Sequence, residues 1–316
     1  MTMTPKRVAD EWLADLNVPY ERDVPLGPRT WYGVGGPAEV LASPASIAQL
    51  GQLVARCREA GVVMRVLGSG ANLLVRDEGV PGVVVQLDAP TFGTVQREGN
   101  LLRVGAGADL FKLVLEAARL GLGGLETVAG IPASVGGAVR MNAGGAFGDI
   151  GTNVRRVQVM AENGQVYYRD RDDLVFAYRR TNIAAPFILE VEFELTEDDP
   201  EALMKRVKEI FLYKKNSQPM GAASAGCAFK NPPAEEAADA GGASGVTRQS
   251  AGKLIDEAGL KGYRHGAAHV SEVHANFIAA EKGATAADIL AVIDHVQQVV
   301  RERFGVALER EVVVWP

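Results

Sequence analysis

The sequence predicts an α+β fold in two or three domains, a reading carried by three observations. Helical and strand patterns follow one another without strict alternation, which argues against a doubly wound sheet. The 316 residues are 47% hydrophobic and 23% charged, enough for a sizeable core and for more than one domain. A polar break at Glu197-Asp198-Asp199-Pro200 separates two patterned regions and marks the expected boundary.

Taken in chain order, Ser43-Pro44 followed by Ile47, Leu50, Val54 and Cys57, and closed by Gly61, reads as a capped amphipathic helix with Pro at its first position. Apolar runs at 62–67 and 83–87, bounded by Gly or Pro, read as buried strands. Residues 94–97 and 101–104 pair across Glu98-Gly99-Asn100, and Asp109 then caps a helix through Leu113, Val114, Ala117 and Leu120 that stops at Gly121. From 121 to 151 the periodicity vanishes and ten of 31 residues are glycine, the pattern of a loop that a ligand approaches closely. A hairpin around Asn163-Gly164 follows, joining 157–160 to 166–168. Alternation of Phe187, Leu189, Val191, Phe193 and Leu195 with Ile188, Glu190, Glu192 and Glu194 predicts a strand with one wet side. Beyond the polar break, Leu203, Met204, Val207, Ile210 and Phe211 recur at helical spacing. A short helix at 251–258, a strand at 274–280 and a helix from Thr285 to about Phe304 complete the pattern. Pro232–Gly245 reads as an exposed insertion.

Composition narrows the function. Lys plus Arg is 33 against 39 Asp plus Glu, and the net charge of −6 gives no general attraction to nucleic acid. No apolar stretch approaches the ~20 residues of a membrane span, and the N-terminus has no signal-peptide core, so a cytoplasmic protein is expected. Cys57 and Cys227 are too far apart in sequence for a disulfide framework or a metal-ligand spacing. His265, His269 and His274 superficially suggest a metal site, but unrelated loop and strand histidines are the better reading, and no metal is expected. Glycine is in excess: 36 residues, about 11% against an average of about 7%.

Two glycine-rich segments are candidate anion or cofactor cradles. Gly68-Ser69-Gly70-Ala71-Asn72-Leu73 follows a predicted strand, although it lacks the third glycine of the dinucleotide fingerprint. Gly130-Ile131-Pro132-Ala133-Ser134-Val135-Gly136-Gly137 offers bare backbone with Ser134, and further on Asn142, as its polar groups. Taken singly, each also fits a tight turn or a buried crossing. No P-loop motif occurs.

These segments join others in a fixed order: Arg29-Thr30-Trp31, then 66–74, 130–148, Phe176-Ala177-Tyr178-Arg179-Arg180-Thr181, Ser224-Ala225-Gly226-Cys227-Ala228-Phe229-Lys230-Asn231-Pro232, and Gly259-Leu260-Lys261-Gly262 with His274-Ala275-Asn276-Phe277. In this the chain, from about Thr30 to Val313, resembles the UDP-N-acetylenolpyruvoylglucosamine reductases, in their shorter form without an extra substrate-capping insertion. It departs from the family's usual pattern at Ala71, Ala133, Thr181, His269 and the tail after Glu311.

The resemblance implies a two-lobed FAD-binding domain of the vanillyl-alcohol-oxidase type, with lobes at 1–87 and 88–198. A C-terminal α+β substrate domain would span 199–316, its tail strand at about 311–316. It implies non-covalent FAD held by Gly68, Ser69, Gly70, Ala71, Asn72, Leu73, Gly130, Ile131, Pro132, Ser134, Gly136 and Gly137. The implied reaction is NADPH-dependent reduction of UDP-N-acetylglucosamine-enolpyruvate for peptidoglycan synthesis; a monomer is compatible with the sequence, which does not settle the oligomeric state. Arg179 would clamp the substrate carboxylate, Cys227 would donate a proton in place of the usual Ser, and Glu311 would polarise the carboxylate. Tyr178, Lys214, Gln218, Gly226, Lys230 and Asn231 would bind the substrate. The rival readings are another FAD oxidoreductase of the same fold, or a non-enzymatic flavin or nucleotide-sugar module. All four histidines follow residue 260, which removes the first-lobe histidine that would tether a covalent flavin.

Overall fold

The computed structural model describes residues 8, 13, 15–233 and 249–316; the expected insertion at Pro232–Gly245 lies, from residue 234 on, outside the described residues. In chain order the main elements are β1 (Tyr20–Pro25), β2 (Pro37–Ala42), α1 (Ile47–Ala60), β3 (Met64–Leu67), β4 (Leu73–Val75), β5 (Val80–Gln86), β6 (Val95–Glu98), β7 (Leu101–Gly105), α2 (Leu110–Arg119) and α3 (Val135–Arg140). They continue with β8 (Val154–Met160), β9 (Val166–Asp170), β10 (Phe187–Glu194), α4 (Pro200–Ser217), α5 (Ala251–Glu257), β11 (Arg264–His265), β12 (Ala268–Val270), β13 (Ile278–Ala280), α6 (Ala286–Phe304) and β14 (Val313–Trp315). The mixed order is that of an α+β protein. Two compact units emerge, one of Met1–Val24, Ala38–Ser69 and Val80–Lys214, the other of Pro25–Pro37, Gly70–Gly79 and Lys215–Pro316.

The first unit holds two large sheets and two cores. A four-stranded sheet in the order β1-β2-β5-β3 carries α1, whose Leu50, Leu53, Val54 and Cys57 are buried with Val83, Val85 and Phe92. Ser46 rather than Ser43 caps α1, accepting from the Gln49 amide at 3.2 Å, so the helix begins at Ile47 and Pro44 lies outside it. The hydroxyl that reaches the third helical amide fixes the start. A five-stranded antiparallel sheet in the order β9-β8-β10-β7-β6 carries α2, capped by Asp109 through the Lys112 amide at 2.8 Å. Leu203, Val207 and Ile210 of α4 join this second core, so the compact unit extends past the polar break.

Strand β10 departs from the expectation of a wet side. It is the central strand of its sheet, and its pairing with β8 slips between Gln158↔Glu190 and Val159↔Ile188. This bulge reverses the facing of the side chains. Phe187 and Leu189 join the first core, whereas Ile188, Val191 and Phe193 join the second. On the remaining face Glu192 is only 2% exposed, with Arg103 Nε at 2.7 Å, Arg156 Nη2 at 3.1 Å and Arg155 Nε at 3.6 Å. The stretch 121–151 is likewise not all loop, since Ser134 caps the six-residue helix α3 within it.

In the second unit, β4 pairs in parallel with the tail strand β14, and β11-β12-β13 form a small antiparallel sheet against α6. Its core gathers Tyr32, Phe229, Leu254, Ile255, Ile289, Val292, Ile293 and Val296. Thr285 and Asp288 form the expected capping box, and Asp77 adds a second cap by accepting from the Ala286 and Ala287 amides at 2.9 and 3.0 Å. The strand expected at 274–280 is confined to Ile278–Ala280. Upstream of it the buried Asn276 side chain does the pairing, accepting from the Phe229 amide at 3.0 Å and donating to the Phe229 carbonyl at 2.8 Å.

Burial alone would raise the pKa of Glu192, but hydrogen bonds and charge from Arg103 and Arg156 hold it below the ordinary value. A depressed carboxylate stabilises the fold above its unfolded pKa and loses that contribution as pH falls through its folded pKa. Glu192→Gln should therefore cost on the order of 1–3 kcal/mol at pH 7, with the difference from the parent narrowing below about pH 4. Urea unfolding across pH 3–7 tests this; a pH-independent difference would show that the charge plays no part.

Candidate functional site

A cavity of about 270 Å³ opens in the first unit between its two sheets. Its walls include Val66, Gly68 and Ser69 at the end of β3, Ala106 and Gly107 after β7, Ala133, Ser134, Gly136 and Gly137 around the start of α3, and Pro186 and Ile188 of β10 and its approach. Its shape requires missing side chains. A Cβ at Gly68 would stand 2.6 Å from Ser134 Oγ, and one at Gly136 2.8 Å from the Ala106 Cβ. The amides of Val135 and Gly136 donate to Ala108 and Ala106 carbonyls, and that of Gly137 to Ser134 Oγ. By contrast, the amides of Gly68, Ser69, Ala133 and Ser134 donate to no other described residue. Four unpaired N–H groups in a largely apolar wall fit an anionic, partly aromatic ligand such as a dinucleotide. Gly136 and Gly137 contribute by being bare, not by donating.

The rest of the first-unit site surrounds Arg179. Phe176–Ala177 pairs with Arg180–Thr181, leaving Tyr178-Arg179 as a two-residue turn in which Arg179 has φ 56°. Its Nη2 donates to the Gly144 carbonyl at 2.8 Å, its guanidinium lies 5.0 Å from the Tyr178 ring, and its Nη1 is 3.9 Å from Asp149. Burial raises the Asp149 pKa and Arg179 opposes that rise. Lys214 at the end of α4 is buried and donates to the Ala129 carbonyl at 2.6 Å, just before Gly130. Burial first, and then the Arg179 charge, bring its pKa down to about 8. Ile131 and Pro132 are half-buried beside this segment.

In the second unit Cys227 and Glu311 lie on neighbouring segments. Cys227 bridges to Phe277, and the carbonyl of the next residue, Ala228, accepts from the Glu311 amide at 2.8 Å. Asn72 donates from Nδ2 to the Glu311 carbonyl at 3.0 Å, and its own carbonyl accepts from Val313. The amides of Gly70, Ala71 and Asn72 donate to no other described residue, while Leu73 belongs to β4. Gly226 precedes the thiol at φ 78°. Lys230 is ion-paired with Glu309, the Asn231 side-chain oxygen accepts from the Ala251 amide at 3.0 Å, and Gln218 is half-buried at the end of α4. His265 and His269 lie on the β11–β12 hairpin, and His274 packs against Phe277.

Comparison with known proteins bears directly on this arrangement. Residues 38–168 match the profile of an FAD binding domain, and residues 218–315 match that of the UDP-N-acetylenolpyruvoylglucosamine reductase C-terminal domain. The chain is 42% identical over 305 residues to the UDP-N-acetylenolpyruvoylglucosamine reductase of Desulfosudis oleivorans, covering 92% of this chain and 93% of the relative. It is 35% identical over 293 residues to that of Bacillus subtilis, covering 92% of each. The chain belongs to the UDP-N-acetylenolpyruvoylglucosamine reductase family.

The crystal structure of the family's Thermus caldophilus member superimposes with a TM-score of 0.78 at 40% identity, covering 95% of this chain and all of the other. Of these residues the sequence patterns single out Arg179, Lys214, Cys227 and Glu311, but not Asp149, Ala129 or Arg140. Asp149 carries a signal of its own, as the one acid between Gly130 and Gly151.

Lys214 yields a prediction. Because its folded pKa is below the ordinary lysine value, stability should rise as pH climbs from about 8 towards the unfolded pKa. Arg179→Gln should move the Lys214 titration upward from about 8, read by NMR of ¹³C-labelled lysine. An unmoved titration would show that the two cations do not feel each other.

Proposed function

We propose that the chain catalyses the NADPH-dependent reduction of UDP-N-acetylglucosamine-enolpyruvate to UDP-N-acetylmuramate in peptidoglycan synthesis, with FAD as its bound cofactor. The observation that carries this reading is the first-unit cavity, whose bare glycines and four unpaired amides suit a dinucleotide, in a chain that belongs to this family. The bound flavin supplies the means of passing a hydride equivalent from NADPH to carbon. Gly68, Ser69, Ala133 and Ser134 would hold the cofactor through their amides, and Gly136 and Gly137 would admit it closely.

The remaining work belongs to side chains. Adding hydride to the enolpyruvyl methylene leaves negative charge on the neighbouring carbon and its carboxylate, so the protein must supply positive charge there and a proton. Arg179 supplies the charge, and its planar guanidinium, steadied by Gly144 and Tyr178, suits a carboxylate. Lys214 adds a second cation whose charge is sensitive to pH near 8. The Cys227 thiol gives its proton to the carbon next to the carboxylate, a thiol being a stronger acid than the hydroxyl of a Ser at that place. Glu311, tied by its backbone to Ala228 and Asn72, polarises the substrate carboxylate.

Tyr178, next to Arg179 in the chain, Gly226, next to Cys227, and Gln218, Lys230 and Asn231 are proposed to contact the substrate. No described helix is long and apolar enough to cross a membrane. A cytoplasmic monomer acting on a nucleotide-linked sugar, with no nucleic-acid partner, completes this reading.

Cys227→Ala should leave NADPH reduction of the bound flavin within about twofold of the parent and slow its reoxidation by the enolpyruvyl substrate by about 10²–10⁴-fold. Cys227→Ser should keep much of that rate. Anaerobic stopped-flow absorbance separates the two halves, and unaltered reoxidation in the Ala variant would remove Cys227 from the proton transfer.

A further inference from the structure

Arg140 ends α3 and lines the same first-unit cavity as Gly68, Ser69 and Ser134. Its guanidinium is gripped by backbone: Nη1 donates to the Ile183 carbonyl, and Nη2 donates to those of Ala185 and Pro186 at 2.6 and 3.0 Å. Three of its five N–H groups are thereby engaged and two remain. No carboxylate lies within ion-pair distance of it among the described residues. Two acids share the cavity wall, but the Asp109 carboxylate caps α2 through the Lys112 amide and Asp88 is exposed. Burial disfavours the charged form of Arg140. A half-buried cation without a counter-ion, in a cavity that also presents four unpaired amides, is an unfinished charge balance.

We propose that Arg140 is a positioning residue for the cofactor, its guanidinium supplying the positive charge that meets the diphosphate of FAD. This rests on the FAD reading above. The carbonyl grip fixes the guanidinium before the ligand arrives, so little side-chain freedom is lost on binding. The anion then completes the balance, and the amides of Gly68, Ser69, Ala133 and Ser134 share the load.

The test separates charge from scaffolding by using parts of the cofactor as probes. Binding of FAD, ADP and riboflavin to the full-length flavin-free chain is measured by flavin fluorescence and by competition, together with thermal unfolding. Arg140→Met should weaken FAD and ADP by about ten- to a hundredfold while changing riboflavin less than about threefold. It should also flatten the salt dependence of FAD binding, and Arg140→Lys should recover much of the FAD affinity. A parallel loss for FAD and riboflavin with a lowered melting temperature would overturn the proposal, reducing Arg140 to a clamp on the 183–186 backbone. Unchanged FAD affinity in the Met variant would overturn it equally. A parent chain that binds no FAD would overturn the cofactor reading, and this proposal with it, whatever the variants do.

Discussion

The hydroxyl of Ser134 is the constraint on which the first-unit cavity depends. It accepts from the Gly137 amide at 3.3 Å, starting α3, and it stands where a Cβ at residue 68 would project. One atom therefore requires glycine on the facing segment and turns the chain into a helix at the same point. The amides on either side respond differently. Those of Val135 and Gly136 are tied to the Ala108 and Ala106 carbonyls, which locks the turn to the end of β7. Those of Gly68, Ser69, Ala133 and Ser134 are left to whatever enters, ligand or water.

The same economy of parts shows in β10. A strand with unbroken alternation would bury one row of side chains, but the slip opposite Gln158 and Val159 lets one strand fill two cores. Phe187 and Leu189 brace the sheet that carries β3, and Val191 and Phe193 brace the sheet that carries β7. Both of those strands end on the cavity, so the bulge ties its two walls to one rigid element. Glu192 follows from this placement. A central strand leaves its polar row half covered, and three arginines from β7 and β8 close over the carboxylate.

Local signals explain what was legible in the sequence. Asp109, Thr285, Gly61 and Asn163-Gly164 act through neighbours a few residues away, and each caps or turns the chain where its local pattern predicts. The misplaced features depend on distant partners. Nothing near Asn276 reveals that its side chain will pair with Phe229, 47 residues away, and so shorten a strand. Nothing in the alternation of 187–195 reveals a bulge set by a pairing strand. The site divides in the same way. Cys227 and Arg179 stand inside motifs, whereas Arg140 takes its meaning from carbonyls 43 to 46 residues away.

Arg179 itself shows how such a site is held. In a two-residue hairpin turn a positive φ favours Gly, Asn or Asp, and an arginine there is strained. The surroundings supply the compensation. Asn142, also at positive φ, donates to the Ala177 carbonyl at 3.0 Å and accepts from the Gly151 amide at 3.1 Å, fastening the turn to the glycine-rich stretch. The Gly144 carbonyl then fixes the guanidinium. A relaxed turn residue would have left this hairpin more stable but carried no cation. The strain is tolerated because a rigid, glycine-rich floor and one buried asparagine over-determine the backbone, which holds the charge in place before any carboxylate arrives.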